Sequence, residues 1–358
     1  MSNTRKTLVI ISPGFPADEA DSTCIPPQQV FVKALKEVSP ELHVIVLTLQ
    51  YPFFSRTYDW HGVQVISFGT EKSSRPYRAL VMLRVWRRLR QIRRKHKVAG
   101  LLSFWLDKSA FVAEIFAKRH GLQHYCWLLG QDAKAGNRFF HRIKPDGASL
   151  VAISDFVARN LHGNYGVLPQ HVIPVGVNTA LFDAAAVEKD IDILGAGSLI
   201  PLKQYHIFLE LIKALRDSHP HLRTVICGDG PEMEHLRAKV KELGITDNVS
   251  LIGERPHADV LRLMQQAKIF LHPSNYEGFS TVCLEALCAG ARVLSFIRPM
   301  EANIPNWSIA TDQAHMQALL KDMLRQQPTA YPSFVPYRVQ DTARAIIRLF
   351  DPGMLPHL

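Results

Sequence analysis

No apolar run in this chain approaches the roughly 20 residues that a membrane-spanning helix needs. The first apolar run, Thr7 to Ile11, is also short for the hydrophobic part of a signal peptide. It leads into Pro13-Gly14 without a cleavage-like site, so it reads as a first strand. Cysteine is scarce. Five residues, an odd number without metal-like spacing, argue for a reducing cytoplasm and against a zinc site. Cys24, Cys126, Cys227, Cys283 and Cys288 read as small core residues. No internal repeat of solenoid period occurs. Acidic residues are missing altogether between Arg75 and Lys97, where ten Lys or Arg fall. The rest of the chain balances at 32 basic against 32 acidic residues, so this one segment carries the whole formal net charge of +10.

What remains is an ordinary globular composition, 47% hydrophobic and 21% charged, over 358 residues, enough for two domains. One stretch organises it, KIFLHPSNYEGFSTVCLEALCAGARVLS from Lys268 to Ser295. The run Ile269 to Leu271 reads as a buried parallel strand. A loop from Ser274 to Phe279 leads to a helix from Ser280 to Cys288, stopped by Gly290, and Arg292 to Phe296 forms the next strand. In such βαβ units ligands sit at the carboxyl ends of the strands, facing helix N-termini. Ser280 is placed to act as N-cap, and the amides of Gly278, Phe279 and Ser280 would point at an anion such as a phosphate. Glu277 precedes the helix and Glu285 lies in its second turn, predicting carboxylates roughly 8 to 12 Å apart. That separation suits two groups flanking a diphosphate; it also suits two solvated glutamates on an ordinary βαβ element.

Glu277 and Glu285, eight positions apart with Gly278-Phe279 after the first, resemble the Glu-x7-Glu signature of glycosyltransferase family 4. The resemblance implies a GT-B fold: α/β, two Rossmann-like doubly wound domains facing a central cleft. It also implies a retaining enzyme that uses nucleotide-sugar donors. The likeness extends from about Leu8 to Ile297, most specifically from Ile191 to Leu294.

The first half alternates short β-rich runs with helical patterns, as a doubly wound domain does. Strands are expected at Leu8 to Ile11, His43 to Leu47, Val63 to Phe68, Gly100 to Phe104, Tyr125 to Leu129 and Leu150 to Ile153. Gly14, in the loop after the first strand, stands where the family often has two adjacent glycines contacting donor phosphate or acceptor. Phe15 follows it here, so Gly14 either keeps that role or simply makes the turn. After the fifth strand, Leu129 occupies the place of a histidine common in the family. Asp132 remains nearby, to bind acceptor hydroxyls or to cap the following segment. The segment Arg75 to Lys97 reads as a helix with Met82, Val85, Trp86, Leu89 and Ile92 on one face. Arg84, Arg87, Arg88, Gln91 and Arg94 take the other. A basic amphipathic helix with tryptophan is the pattern of a membrane-surface element, for which Arg84, Trp86, Arg87, Arg88 and Arg94 are the candidate contacts. The alternative is a surface helix whose apolar stripe packs on the sheet. Nucleic acid is not expected, because no interleaved aromatics accompany the charge.

In the second half, Ile191 to Ala196 starts a new alternation, and Gly197 to Lys203 forms its first ligand-facing loop. The resemblance assigns the donor diphosphate to this loop, with Lys203 as its lysine; an arginine usual there is replaced at about Ser198. Gly228-Asp229-Gly230-Pro231 would line the donor cleft, and Gly253 with Arg255 would face the nucleobase. His272 reads more simply as a satisfied strand-end histidine than as a catalyst.

The domains expected are 1–176, acceptor-binding; 177–336, nucleotide-sugar-binding; and 337–358, a C-terminal helix that returns to the first domain in many GT-B enzymes. The function implied is transfer of a hexose-type sugar to a glycan or lipid-linked acceptor in cell-envelope polysaccharide, lipopolysaccharide or glycolipid synthesis. Glu277, Lys203 and Asp132 would be catalytic. Glu285, Gly278, Phe279, Ser280, Ser198, Gly228, Gly253, Arg255 and Gly14 would bind the donor, a UDP- or GDP-linked sugar. No metal or other cofactor is implied, since a helix terminus and a lysine can stabilise the pyrophosphate. The expected place is cytoplasmic, peripheral on the inner face of the cell membrane. A GT-B nucleotide-sugar epimerase and a catalytically degenerate binding subunit are the alternatives.

Overall fold

The computed structural model describes residues 5–70, 75–182, 187–326 and 328–355, with backbone only for 75–79. Part of the Ala-rich stretch from Asp183 lies outside the described residues, as do the side chains of Arg75 and Arg78. Two compact units divide the chain, Met1–Gly176 with Val339–Leu358, and Val177–Arg338.

The first unit runs β1 (Lys6–Gly14), α1 (Pro26–Val38), β2 (His43–Tyr51), β3 (Thr57–Trp60), β4 (Val63–Ser67), α2 (Arg75–Lys95) and β5 (Lys97–Phe104). It continues through α3 (Lys108–His120), β6 (Gln123–Leu128), α4 (Arg138–Ile143), β7 (Leu150–Ala152), α5 (Asp155–Tyr165) and β8 (His171–Val172). The sheet order is β3-β4-β2-β1-β5-β6-β7-β8. All pairings are parallel except the antiparallel edge strand β3. Central strands are buried on both faces, which is why Leu8 to Ile11 reads as an unbroken apolar run. Asp107 caps α3 by accepting the Ser109 amide, and Ser154 caps α5 by accepting that of Val157, so both helices start on a side-chain bond.

The second unit runs β9 (Ile191–Ala196), α6 (Tyr205–Arg216), β10 (Thr224–Cys227), α7 (Met233–Glu242), β11 (Val249–Leu251) and α8 (His257–Gln266). Then follow β12 (Ala267–His272), α9 (Thr281–Cys288), β13 (Arg292–Ser295), β14 (Trp307–Ile309) and α10 (Gln313–Arg325). Its wholly parallel sheet has the order β11-β10-β9-β12-β13-β14. Ile193, Ile226, Ile269, Leu271 and Leu294 supply the strand side of a core closed by Phe208, Leu236 and Leu320 from the helices.

The last helix, α11 (Val339–Phe350), packs within the first unit. Thr342 donates to the Pro174 carbonyl, and the Tyr125 hydroxyl donates to that of Leu349 at 3.1 Å. Phe350 meets the Tyr125 ring edge-on at 5.0 Å and lies over Gly100, where an added Cβ would fall 2.4 Å from the Phe350 ring. Gly100 is the notch that admits this ring.

Candidate active site

Both sheets reverse strand order next to their first strand, and ligands of open parallel sheets bind at the carboxyl ends flanking such a reversal. In the second unit the reversal separates β10–β9 from β12. The two loops leaving those carboxyl ends are Gly197–Gln204 and Pro273–Ser280, and they are stitched together. The Asn275 amide and the Ser274 hydroxyl both donate to the Leu202 carbonyl, at 3.1 and 3.2 Å. The turn after β10 presses on the first of them. The Leu199 amide donates to the Asp229 carbonyl and the Glu232 amide to that of Leu199. Gly228 has φ +145°, and a Cβ there would stand 1.9 Å from the Gly197 carbonyl oxygen. Glycine is required by both backbone angle and room.

This stitching brings Lys203 to Glu277, with Nζ 2.5 Å from Oε1, and His272 Nε2 lies 2.8 Å from the same oxygen. All three side chains are largely buried. Burial opposes a charge on Glu277, but His272 and Lys203 outweigh it and hold the carboxyl down at about 2. Burial keeps His272 below its usual value, with Lys203 pushing the same way against Glu277. The ring is therefore neutral near pH 7 and donates Nε2–H to the carboxylate, while Lys203 carries the balancing charge. Ser280 stands at the N-cap position of α9, yet its side chain makes no cap bond. This corrects the expectation: its hydroxyl lies 3.3 Å from His272 Nε2 and serves the polar cluster instead.

Glu285, one turn and more along α9, is buried and receives His257 Nε2 at 2.8 Å from the start of α8. That hydrogen bond raises the His257 pKa against the effect of burial. Nothing in the local sequence marks His257, because 28 positions separate it from Glu285. Phe279 is buried edge-on to Trp307 and Tyr337 and anchors the loop. Ser198 is exposed beside Gly197. Gly253 has φ +75° with open space around it, and its carbonyl accepts from the Gly228 amide. Arg255 follows on the exposed loop after β11. An Asp-x-Asp pair, Asp190 and Asp192, escapes the sequence reading above. It lies at the amino end of β9, away from the ligand-facing loops. Its carboxylates already hold cations, Arg223 on Asp190 and Lys268 on Asp192 at 2.8 Å.

Residues 178–304, which contain this whole cluster, match the family model described as "Glycosyl transferases group 1". The match falls wholly within the second unit. Among curated relatives, 2-deoxystreptamine N-acetyl-D-glucosaminyltransferase of Niallia circulans is 27% identical over 185 residues, 52% of this chain and 44% of that protein. D-inositol 3-phosphate glycosyltransferase of Acidothermus cellulolyticus is 29% identical over 240 residues, 59% of this chain and 49% of that one. The chain thus spans about half the length of these relatives. Among solved structures, sucrose-phosphate synthase from Thermosynechococcus elongatus superposes with TM-score 0.68 at 16% identity, covering 97% of this chain and 98% of that one. Anabaena Alr3699/HepE in complex with UDP-glucose gives 0.66 at 16%, covering 97% and 96%. WaaG, a glycosyltransferase involved in lipopolysaccharide biosynthesis, gives 0.60 at 15%, covering 98% and 97%. The fold is GT-B, built of two Rossmann-like units.

The first unit has its own strand-order reversal, between β1 and β5. Gly14 ends β1 with no positive φ, and a Cβ there would meet Tyr51 at an ordinary 3.5 Å. No turn at this point demands glycine. Asp132, in a short 3-10 turn after β6, is buried and accepts the Leu129 amide at 2.7 Å. It caps nothing downstream: Asn137 caps α4. Burial pushes Asp132 up to about 7, with the Asp107 carboxylate adding to the rise against the Leu129 amide. Asp107 itself is raised by burial to about 6. A carboxyl poised near neutrality at a strand's carboxyl end suits proton exchange with a hydroxyl. Asp107 is the second member that sequence reading overlooks.

The basic helix α2 spends its apolar stripe inside the unit. Val81, Val85, Leu89 and Ile92 are buried in the core with Phe116. Trp86, partly buried, packs edge-on to Phe116 at 5.0 Å against that core, so part of the ring expected to face a membrane is taken up inside the unit. Arg87 and Arg94 are exposed, while Arg84 and Arg88 lean on the β3–β4 edge. No helix among the described residues is long and apolar enough to cross a membrane.

Proposed function

We propose that this chain is a retaining, family 4 glycosyltransferase that moves a sugar from a nucleotide-sugar donor to a glycan or lipid-linked acceptor in cell-envelope polysaccharide or glycolipid synthesis. The observation that carries the reading is the Lys203–Glu277–His272 cluster at the strand-order reversal, with Glu285 on the same loop-helix element.

The donor diphosphate would replace Glu277 as the partner of Lys203 and lie against the amino end of α9. Cationic stabilisation of a leaving pyrophosphate lowers the barrier by several kcal/mol in sites of this kind, about 3 for one good donor. Glu277, ionised at any ordinary pH, would accept hydroxyls of the sugar and face the positive charge that grows at the anomeric carbon. His272 keeps one oxygen of that carboxylate in place throughout. Glu285, oriented by His257, would receive the ribose hydroxyls. The acceptor hydroxyl would attack from the face the phosphate leaves, and the leaving phosphate would take its proton. Asp132, in the first unit, would bind acceptor hydroxyls.

The nucleoside diphosphate most favoured is UDP, since solved structures of the same fold are described with UDP or UDP-glucose. The curated relatives named for N-acetylglucosaminyl and inositol 3-phosphate glycosyl transfer support a polar glycan or phosphorylated polyol as acceptor class. An acceptor held at an anionic membrane surface suits the exposed arginines of α2. The test is a thermal-shift screen against UDP, GDP, ADP, CMP and their sugar conjugates. A ligand at 100 times its dissociation constant adds about 2.7 kcal/mol. Stabilisation by one nucleotide family, lost in Glu285→Ala and Lys203→Ala, supports the reading; a flat screen with folded protein refutes it.

A further inference from the structure

Tyr205, the first residue of α6, is 4% exposed, and its hydroxyl is buried without a hydrogen-bond partner. Folded proteins rarely leave such a group unmet. Other buried polar atoms without partners in the second unit belong to Asp190, Thr224, Arg292 and Tyr331. Asp190 precedes β9, Thr224 and Arg292 open β10 and β13, and Tyr331 lies against Gly290 just before β13. These four therefore sit at the amino ends of the strands. Tyr205 alone among them stands at the carboxyl ends, where the ligand-facing loops begin.

Strand β9 makes room for the Tyr205 ring with glycine. A Cβ at Gly195 would fall 3.1 Å from the ring carbon Cε1, and a Cβ at Gly197 would fall 3.5 Å from the hydroxyl. The hydroxyl is thus set against the first residue of the loop that carries Lys203. Burial first, then Cys227, Glu277 and Cys283, hold the phenol above its ordinary pKa, so it keeps its proton. Phenylalanine would fill the same space: Phe208, three positions on, does so in the same core with its ring 6.1 Å away. A tyrosine whose hydroxyl has given up water and gained no partner is less stable than phenylalanine at such a position. The hydroxyl burdens the free chain, and another arrangement is needed to use it.

Loading of the site supplies that arrangement. In the free chain one oxygen of Glu277, Oε1, takes both Lys203 and His272. A diphosphate that draws Lys203 away leaves a largely buried carboxylate short of one proton donor, which is unfavourable unless another group replaces it. A phenol that feels this carboxylate and has no other partner is the group at hand. We infer that Tyr205 is a positioning residue: its hydroxyl takes the place of Lys203 on Glu277 when the diphosphate of a nucleotide-sugar engages the lysine. The inference rests on the donor reading proposed above and adds the residue that keeps Glu277 aligned in the loaded site.

The experiment is a double-mutant cycle on the full chain, read by calorimetric titration with UDP, GDP and ADP and by thermal melts without nucleotide. Tyr205→Phe should melt no lower than the native chain, yet bind the nucleotide about tenfold more weakly, as loss of a hydrogen bond to a charged group does. In the Glu277→Ala background the same change should alter affinity by less than about twofold, the limit for sites that do not interact. A purely structural tyrosine would instead lower the melting temperature of the free chain and leave affinity as it was. The inference is overturned if Tyr205→Phe binds as tightly as native, if it melts several degrees lower without nucleotide, or if its loss of affinity persists undiminished beside Glu277→Ala. In each of those cases native binding that Lys203→Met abolishes leaves the donor reading standing. A native chain that binds none of the three nucleotides overturns that reading, and the inference with it.

Discussion

The Lys203 ammonium lies 2.5 Å from the Glu277 carboxylate, although 74 positions separate them in the chain. The ion pair exists because two loops leave adjacent strands, β9 and β12, at the same end of one sheet. It also sets the state of a third group. Lys203 and burial both press His272 toward the neutral form, while Glu277 pulls the other way. Lys203→Met should therefore raise the His272 pKa and destroy donor-dependent stabilisation. An imidazole titration followed by NMR reads the first effect; an unshifted His272 would show that the ammonium is not coupled to the ring.

Acid stability should carry the signature of Glu277. Its folded pKa of about 2 lies below its usual 4.5, so its contribution is fully present above about pH 4.5 and is lost as pH falls toward 2. The depression corresponds to about 3 kcal/mol at most. Glu114, also lowered to about 2 through His124 and Lys118 against burial, acts over the same window. Urea unfolding between pH 5 and 2.5 should show a shallower loss for Glu277→Gln than for the native chain, with the Glu114 part remaining.

His257 works in the opposite direction. Its hydrogen bond to Glu285 raises its pKa above 6.5, so the added stability is complete below pH 6.5 and disappears as pH rises through the raised value. If Glu285 holds ribose, the same proton positions the donor. His257→Ala should weaken nucleotide binding about tenfold, or roughly 1.4 kcal/mol, and abolish its decline as pH rises through the raised His257 pKa. Fluorescence titration at several pH values measures both.

Glycines of similar appearance should differ sharply. Gly228→Ala would drive a methyl to 1.9 Å from a backbone oxygen at φ +145°, so a loss of 3 kcal/mol or more, ~half the stability of a marginal domain, is expected. Gly253→Ala meets open space at φ +75° and should cost only about 1 kcal/mol. Equilibrium denaturation of the two variants compares them directly.

Gly100→Ala tests the seating of the C-terminal helix. The new methyl overlaps the Phe350 ring and should cost about 1 to 3 kcal/mol by overpacking. Gly100→Ala combined with Phe350→Leu should recover part of that loss in thermal melts, because the shorter side chain vacates the overlapped space.

Much of this architecture was legible in the chain. Buried parallel strands such as Ile191 to Ala196 and Ile269 to Leu271 announce themselves as apolar runs between turn residues, and the alternation with helices implies the doubly wound class. Edge strand β3 was not legible, because its residues Thr57 to Trp60 face solvent on one side and carry no such run. Trp86 is open to two readings for a related reason. An amphipathic stripe looks the same whether it faces lipid or a sheet, and only the neighbouring Phe116 and β5 decide between them.

The site divides along the same line. Local sequence determined which loops end strands and that Lys203, Glu277 and Glu285 lie on ligand-facing segments; the need for glycine at Gly228 came from its contact with the Gly197 carbonyl. Tertiary structure alone decided the partners: Lys203 and His272 on Glu277, His257 on Glu285, and Asp107 near Asp132. Spacing along the chain encodes the period of a helix or strand, whereas charge pairing depends on which strand carboxyl ends the sheet order makes adjacent.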